Sequence, residues 1–195
     1  MMFKEYIEHE IAESKEVKNR ILNDPVLLNQ IDLAAKICVD AYKNGNKILF
    51  GGNGGSAADS QHLAGELVSR FYFDRPGLPA MAISTDTSIL TAIGNDYGYE
   101  KLFTRQLQAN ANPGDVFIGI TTSGNSKNIV EALKYARFNN IKTICFNGKD
   151  GGIIESSGLA DVDIIVPSKE TPRIQESHIM IGHILCAIIE KEMFK

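Results

Sequence analysis

The sequence has no polybasic segment, no apolar run long enough for a membrane span and no closely spaced pair of cysteines. Its formal net charge is −4 and its pI is near 5.6, so no electrostatic attraction toward nucleic acid or an anionic membrane is expected. The longest apolar run, IMIGHILCAII, is too short to cross a bilayer and contains His183. We therefore expect neither a nucleic acid nor a membrane as partner.

The sequence also contains no features that indicate secretion or disulfide bonding. The first residues, MMFKEYIEHE, place charges where a signal peptide needs an apolar centre. The three cysteines, Cys38, Cys145 and Cys186, lie far apart in apolar segments with no CxxC pair. Reduced core thiols in a cytoplasmic protein are the expectation.

The chain is interpreted as a single domain over residues 1–195, since 44% of it is apolar and it contains no repeat or long linker. Residues 1–44 predict two helices, over 3–22 and from Asp24-Pro25 to about Tyr42. Their apolar stripes exceed what one subunit needs, which favours a layer for oligomerisation. The alternative is a helical hairpin packed within the chain.

Residues 45–195 alternate short apolar runs with helical patterns. The runs are bounded by glycines and typical of strands covered on both faces, so the fold class is α/β, with a doubly wound, mainly parallel five-stranded sheet flanked by helices. The predicted strands are 47–50, 79–84, 115–120, 142–146 and 162–166, and the predicted helices are 56–71, 87–108, 126–139, 150–157 and 172–193.

Two loops after predicted strands have the composition of an anion site. Residues 51–56 read GGNGGS and residues 121–126 read TTSGNS. Glycines let the backbone approach an anion, while hydroxyls and the amides of a following helix donate hydrogen bonds. Both loops lie at the carboxyl edge of the sheet, where ligands bind in this architecture. The structural alternative is helix capping, by a Ser56-x-x-Asp59 box and by Ser126.

Other phosphate motifs fit less well. No lysine follows the glycines as a Walker A loop requires. Residues 52–57 match G-x-G-x-x-A, but Asp86 lies too far along the chain to be the acidic partner of a dinucleotide fingerprint. We therefore expect no nucleotide cofactor.

The helix after the first loop places His62 and Glu66 at i and i+4, on one face. Within the last helix lie Gln175, His178 and His183, of which Gln175 and His183 can face one cavity. Structural alternatives remain for each residue, such as a Glu66–Arg70 pair and a hydrogen-bonded core histidine. These side chains could form an N/O site suited to zinc. A carboxylate and a histidine beside a sugar phosphate also suit an aldose–ketose isomerase.

The segments GNGGSAADSQHLAGEL, RPGLPAMAIS, AIGNDYGYE, TTSGNS, GKDGG and RIQESHIMIGHILC resemble those of the phosphoheptose isomerase family, within the sugar isomerase (SIS) domain superfamily. The resemblance covers nearly the whole chain. It implies a flavodoxin-like SIS fold and a homotetramer. It also implies conversion of sedoheptulose 7-phosphate through an enediol to D-glycero-D-manno-heptose 7-phosphate, the first step toward ADP-heptose for bacterial surface polysaccharide.

The resemblance also implies roles for particular residues. Glu66 would be the base at C1 and His183 the acid/base at the oxygens. One zinc ion per subunit would be held by His62, Glu66, Gln175 and His183. Substrate would contact Glu66 and Gln175 together with Asn53, Gly54, Gly55, Ser56, Asn95, Asp96, Thr121, Thr122, Ser123 and Ser126.

The sequence differs from the family's motifs at two places, and one alternative function remains. Thr121 stands where serine is usual, which keeps the hydroxyl, and Thr171-Pro172 stand where some relatives have an acidic residue. The alternative is a non-catalytic SIS-fold binding protein of the kind that associates with a replication initiator. Such proteins lack the acid and the histidine that this chain retains as Glu66 and His183, which favours the enzyme.

Overall fold

Five parallel strands form one sheet in the order β2-β1-β3-β4-β5. The structure, a computed structural model, describes residues 3–195; Met1 and Met2, which begin the predicted amino-terminal segment, lie outside the described residues. The strands are β1 (Ile48–Gly52), β2 (Ala80–Ala82), β3 (Val116–Ile120), β4 (Lys142–Gly148) and β5 (Val162–Val166). The helices are α1 (Phe3–Leu22), α2 (Pro25–Lys43), α3 (Gly55–Val68), α4 (Thr87–Tyr97), α5 (Leu102–Asn110), α6 (Lys127–Phe138), α7 (Gly152–Ser156) and α8 (Thr171–Phe194).

The predicted doubly wound sheet is confirmed. Alternate strand residues face two separate apolar cores, with Ile48 and Phe50 in one and Leu49 in the other. The chain leaves β1 toward β2 and later returns to the other side of β1 as β3. This reversal opens a crevice beyond the carboxyl ends of β1 and β3, the usual ligand position in such sheets. All three cysteines are buried free thiols, as expected.

The two amino-terminal helices differ in how they pack. Helix α2 contacts α8 and β5 and buries residues such as Ile31 and Cys38 in its own chain. This packing matches the intrachain alternative for α2. Helix α1 contacts α2 and α8 but leaves a stripe exposed, with Phe3, Ile7 and Ile11 at 89%, 55% and 64% exposure. No observation on the described residues tests the oligomeric role.

Some predicted boundaries are wrong. The predicted helix over 87–108 is broken at Gly98, whose φ of 89° a helix cannot accommodate, and a 3₁₀ turn (Tyr99–Lys101) separates α4 from α5. Strand β2 keeps only the centre of its predicted run because it is an edge strand paired on one side. Among the described helices, none combines the length and hydropathy of a membrane span.

Candidate functional site

The glycine loop (residues 51–56), which includes the end of β1 and the start of α3, and the hydroxyl loop after β3 (residues 121–126) lie side by side at the crevice between β1 and β3. A reciprocal amide pair joins them. Asn53 Nδ2 donates to Asn128 Oδ1 at 3.0 Å, and Asn128 Nδ2 donates to Asn53 Oδ1 at 2.8 Å. Asn128 lies in the first turn of α6, directly after the hydroxyl loop. The pair therefore fixes the two loops relative to each other.

Two further hydroxyl groups support the glycine loop. Tyr99 Oη donates to Asn53 Oδ1 at 2.9 Å, and Ser84 Oγ bonds both the amide and the carbonyl of Gly52 at 3.0 Å. A cavity of about 500 Å³ opens beside this loop, lined by Gly52, Asn53, Gly54, Ser84, Thr91 and Tyr99 among others. The family resemblance implied a role for Asn53 but none for Ser84, Asn128 or Tyr99, whose roles arise from the packing of distant segments.

The hydroxyl loop carries four hydroxyl side chains, of which Thr121 and Ser123 accept only long hydrogen bonds from loop amides, at 3.4 and 3.3 Å. Thr121 Oγ1 and Ser126 Oγ lie 2.9 Å apart. Ser126 occupies the N-cap position of α6, yet its side chain makes no capping hydrogen bond. Thr122 and Ser123 are half-buried between these two residues. The loop thus offers four hydroxyls at one helix N-terminus, an arrangement that suits an anion.

The capping alternative for Ser56 is wrong. Helix α3 begins at Gly55 with Gly54 as its N-cap, and no side chain caps it. Gly54 has a φ of 56°, so the glycine supplies the turn. The buried Ser56 lies in the first helical turn instead.

A cluster of two histidines and a glutamate lies farther along α3 and α8. His62 Nε2 is 2.9 Å from His183 Nε2 and 3.2 Å from Glu66 Oε1. In the described part of the chain, Glu66 pairs with His62 and makes no ion pair with Arg70. The His183 ring also packs against Phe71, with 5.6 Å between ring centroids. Folding therefore brings together the acid of α3 and the imidazole of α8, as the sequence predicted.

The donor set of this cluster fits a zinc ion. One potential ligand atom from each of His62, Glu66 and His183 lies within 4.8 Å of the others. Ligands of a tetrahedral zinc ion with bonds near 2.1 Å lie about 3.4 Å apart, close to the separations seen here. The fourth predicted ligand, Gln175, lies against the glycine loop: a Cβ on Gly55 would be 2.6 Å from Gln175 Nε2.

Asp59 is a neighbour of the cluster that the sequence interpretation did not include. Burial raises the pKa of its carboxyl, while His62 and His183 act to lower it. Asp59, His62 and Glu66 are spaced i, i+3 and i+7 along α3. This spacing puts them on one helical face, so the same periodicity that identified His62 and Glu66 could have identified Asp59.

A buried ion pair holds α3 against α8. Arg75, from the RPGLPAMAIS segment, donates from Nε to Glu190 Oε1 at 3.1 Å and from its terminal nitrogens to the carbonyls of Glu66 and Leu67 at 2.9 and 2.6 Å. Glu190 is fully buried on α8 and also accepts from the backbone amides of residues 71 and 72. The guanidinium therefore satisfies the carboxyl end of α3 and fixes it to the helix that carries His183.

Two predicted substrate residues are not brought to the cluster within this chain. Asn95 and Asp96 are exposed on α4, where Asn95 Nδ2 donates to Asp96 Oδ1 at 2.7 Å. Asp96 lines a separate cavity of about 250 Å³ with Arg105, whereas Gly94 faces the cavity beside the glycine loop. Their assignment to sugar binding stays a prediction.

The largest cavity described, about 600 Å³, lies elsewhere, between α1 and the start of α8. Its lining mixes lysines and arginines with glutamates and includes none of the predicted site residues. We locate the candidate site at the crevice and cluster instead, because polar groups from several elements converge there.

Comparisons with family models, with curated proteins and with solved structures all identify the same family. The SIS domain family model matches residues 11–148. The phosphoheptose isomerase of Aneurinibacillus thermoaerophilus is 60% identical over 98% of this chain and 96% of its own length. Phosphoheptose isomerase 2 of Campylobacter jejuni subsp. jejuni is 59% identical over 97% of this chain and 93% of its own. The structure of a phosphoheptose isomerase from Neisseria gonorrhoeae superposes with a TM-score of 0.90 at 41% identity, covering 97% of this chain and all of that one.

Proposed function

Since this chain belongs to the SIS domain family, and within it to the phosphoheptose isomerases, we propose that it converts sedoheptulose 7-phosphate to D-glycero-D-manno-heptose 7-phosphate. One observation from the site carries the proposal: Glu66 and His183, from different helices, both lie within 3.2 Å of His62 Nε2. A carboxylate and an imidazole at one point are the groups that an aldose–ketose isomerisation needs.

In the proposed mechanism Glu66 removes a proton from C1 of the open-chain ketose. The electron pair moves onto the oxygen at C2, which gives the enediol in its deprotonated form. His183 then transfers a proton between the two oxygens, so that O1 becomes the carbonyl while Glu66 returns its proton to C2. No atom is gained or lost, and the base and acid regain their starting states.

The rest of the site would hold the substrate. The hydroxyl loop and Ser56 bind the phosphate, and Asn53, Gly54, Gly55 and Gln175 bind the sugar. Helix α3 rises about 9 Å between Ser56 and His62 at 1.5 Å per residue. This is the length scale of an extended seven-carbon sugar phosphate, so a phosphate at one end of α3 leaves C1 beside the cluster.

The cluster would also hold one zinc ion per subunit, with His62, Glu66, Gln175 and His183 as ligands. Two imidazoles and two oxygen donors suit zinc, which is of borderline softness. When bound, zinc would polarise the substrate's oxygens as a Lewis acid. The ligand imidazoles must then be neutral, so metal affinity should fall at low pH.

A homotetramer in the cytoplasm is part of the proposal, and the product would enter ADP-heptose synthesis for surface polysaccharide. The exposed α1 stripe of Phe3, Ile7 and Ile11 supports an oligomer, because such a stripe is normally covered. Asn95 and Asp96 are exposed in one chain and could contact sugar from such an arrangement.

Proton exchange in heavy water tests the reaction directly. Incubation of the protein with sedoheptulose 7-phosphate should exchange the C1 proton for deuterium and give the aldose, both visible by proton NMR. Glu66→Gln keeps volume but removes the base, so exchange should stop while substrate still binds. An Arg70→Gln variant serves as the matched control on α3. Exchange at the wild-type rate in Glu66→Gln would show that another group is the base.

The second candidate is the non-catalytic SIS-fold binding protein. It predicts substrate binding without exchange in the wild-type protein. The convergence of Glu66 with His183 favours the enzyme, because a binding module needs neither group at that position.

A further inference from the structure

The hydroxyl loop rests on the chain that follows β4. A Cβ on Gly124 would lie 1.8 Å from the carbonyl oxygen of Gly151, so the two backbones are in direct contact. Ile154 N donates to Gly124 O at 3.2 Å, and Ile153 N donates to Asn125 Oδ1 at 3.0 Å. The position of the hydroxyl loop is therefore set by the GKDGG segment, to which the proposed function assigns no role.

Asn147, near the end of β4, holds the GKDGG segment (residues 148–152) through side-chain hydrogen bonds. Its fully buried side chain donates from Nδ2 to Gly151 O at 2.8 Å and to Asp163 Oδ2 at 3.3 Å. Its Oδ1 accepts from Gly148 N at 2.9 Å. Burial raises the pKa of Asp163 to about 6, and above that pH its carboxylate accepts and does not donate, so it orients the amide with its NH₂ group toward Gly151.

The main chain of the same residue contacts α8. Asn147 O accepts a hydrogen bond from His178 Nε2 at 2.8 Å. Burial lowers the pKa of His178 to about 4, so the ring is neutral and carries its proton on Nε2. His178 lies on α8 between Gln175 and His183. Residue 147 thus contacts both the support of the hydroxyl loop and the helix of the cluster.

We propose that Asn147 is a positioning residue for phosphate: its side-chain amide, oriented by Asp163, holds the Gly151 carbonyl under Gly124 and thereby arranges the hydroxyl loop. The inference rests on the proposed phosphate-binding function of that loop. The side-chain and main-chain contacts of residue 147 can be tested separately, because a side-chain substitution removes the support of the hydroxyl loop and leaves the main-chain carbonyl bonded to His178. We therefore expect a side-chain substitution at residue 147 to weaken phosphate binding without slowing the chemical step.

The test uses Asn147→Asp, which keeps the shape and the acceptor for Gly148 but removes the donor to Gly151. Asn139→Asp is the matched control, since Asn139 also donates to one carbonyl, that of Tyr135 at 2.8 Å, after α6 at the opposite edge of the sheet. Binding of inorganic phosphate is measured by calorimetry, and KM and kcat with sedoheptulose 7-phosphate, all at pH 8.

We expect Asn147→Asp to raise the phosphate Kd and the KM at least about five- to tenfold, with kcat within about twofold, because the variant loses the hydrogen bonds to Gly151 and Asp163 and places two carboxylates side by side. The control should keep wild-type values. An unchanged phosphate Kd in Asn147→Asp, or a fall in kcat at constant KM, overturns the inference.

The double variant Asn147→Asp with Asp163→Asn distinguishes positioning from mere stability. The exchanged pair can again form a hydrogen bond, so the melting temperature should recover, but no donor faces Gly151 and the phosphate Kd should stay raised. Parallel recovery of both properties overturns the inference, and this variant alone is informative if Asn147→Asp does not fold. Since the phosphate titration needs no turnover, an inactive wild type would overturn the proposed function instead.

Discussion

A single methyl group added at Gly182 should separate the two helices that carry the cluster. Gly182 of α8 faces Leu63 of α3, and a Cβ there would lie 2.6 Å from both Leu63 Cδ atoms. Carbon atoms pack at about 3.5–4.0 Å, so the contact must open by about 1 Å. His62 and His183 are the adjacent residues, and their 2.9 Å separation should grow by a similar amount.

The expected cost of Gly182→Ala follows from these distances. Overpacking of a buried contact destabilises by about 1–3 kcal/mol, and the better helix propensity of alanine offsets up to about 1 kcal/mol of that. A misplacement of about 1 Å among reacting groups lowers activity about a hundredfold. Urea unfolding gives the stability, and kcat/KM with sedoheptulose 7-phosphate gives the activity.

Two further variants make the Gly182 prediction refutable. Gly65→Ala, on α3 with open space around its Cβ, reports helix propensity alone and should stabilise slightly. Leu63→Ala with Gly182→Ala removes the clashing atoms, so the pair should regain activity and lose less stability than the sum of the single variants. Wild-type kcat/KM in Gly182→Ala would refute the reasoning, because the helices could then absorb the methyl group without moving the histidines.

Three other predictions concern the same site. Burial lowers the pKa of His178 to about 4, so the unfolded chain binds the extra proton between pH 6.5 and 4. The wild type should therefore lose about 3 kcal/mol more stability over that fall in pH than His178→Gln, measured by urea unfolding at both pH values; equal losses would contradict the assignment. Zinc at a hundredfold excess over its Kd should raise the unfolding free energy of chelator-treated protein by about 2.7 kcal/mol, and should not do so for His62→Ala. Gly124→Ala should weaken phosphate binding far more than Gly158→Ala. Both glycines have left-handed φ values, 64° and 55°, but only a Cβ on Gly124 would collide with a neighbour, the carbonyl oxygen of Gly151. Equal effects of the two variants would mean that backbone strain, and not the collision, causes the loss.

Local patterns were sufficient to predict the sheet and the loops at its carboxyl edge. Strands β1 and β3 are glycine-bounded apolar runs, and their following loops meet because all five strands run parallel. Periodicity also placed His62 and Glu66 on one helical face. Their convergence with His183 required the crossing of α3 and α8, which spacing along the chain does not contain.

Other features depend on contacts between distant segments and left no local signal. Asn147 and His178 meet across 31 positions, and Arg75 and Glu190 across 115. An isolated buried histidine or arginine in a sequence does not reveal which carbonyl or carboxylate it will contact. For the same reason the sequence did not show that β5 and α8 of the same chain cover most of the apolar face of α2, and the oligomeric role of the two amino-terminal helices stays a prediction.

The amide pair between Asn53 and Asn128 has a consequence for how the protein responds to acidity. Carboxamides neither gain nor lose a proton across the ordinary range, so the join between the two loops should keep its shape from mildly acid to alkaline buffer. A plot of turnover against pH would then contain no contribution from this join, and any loosening of the loops in mild acid would come from another support, such as Asp163, whose pKa burial raises to about 6.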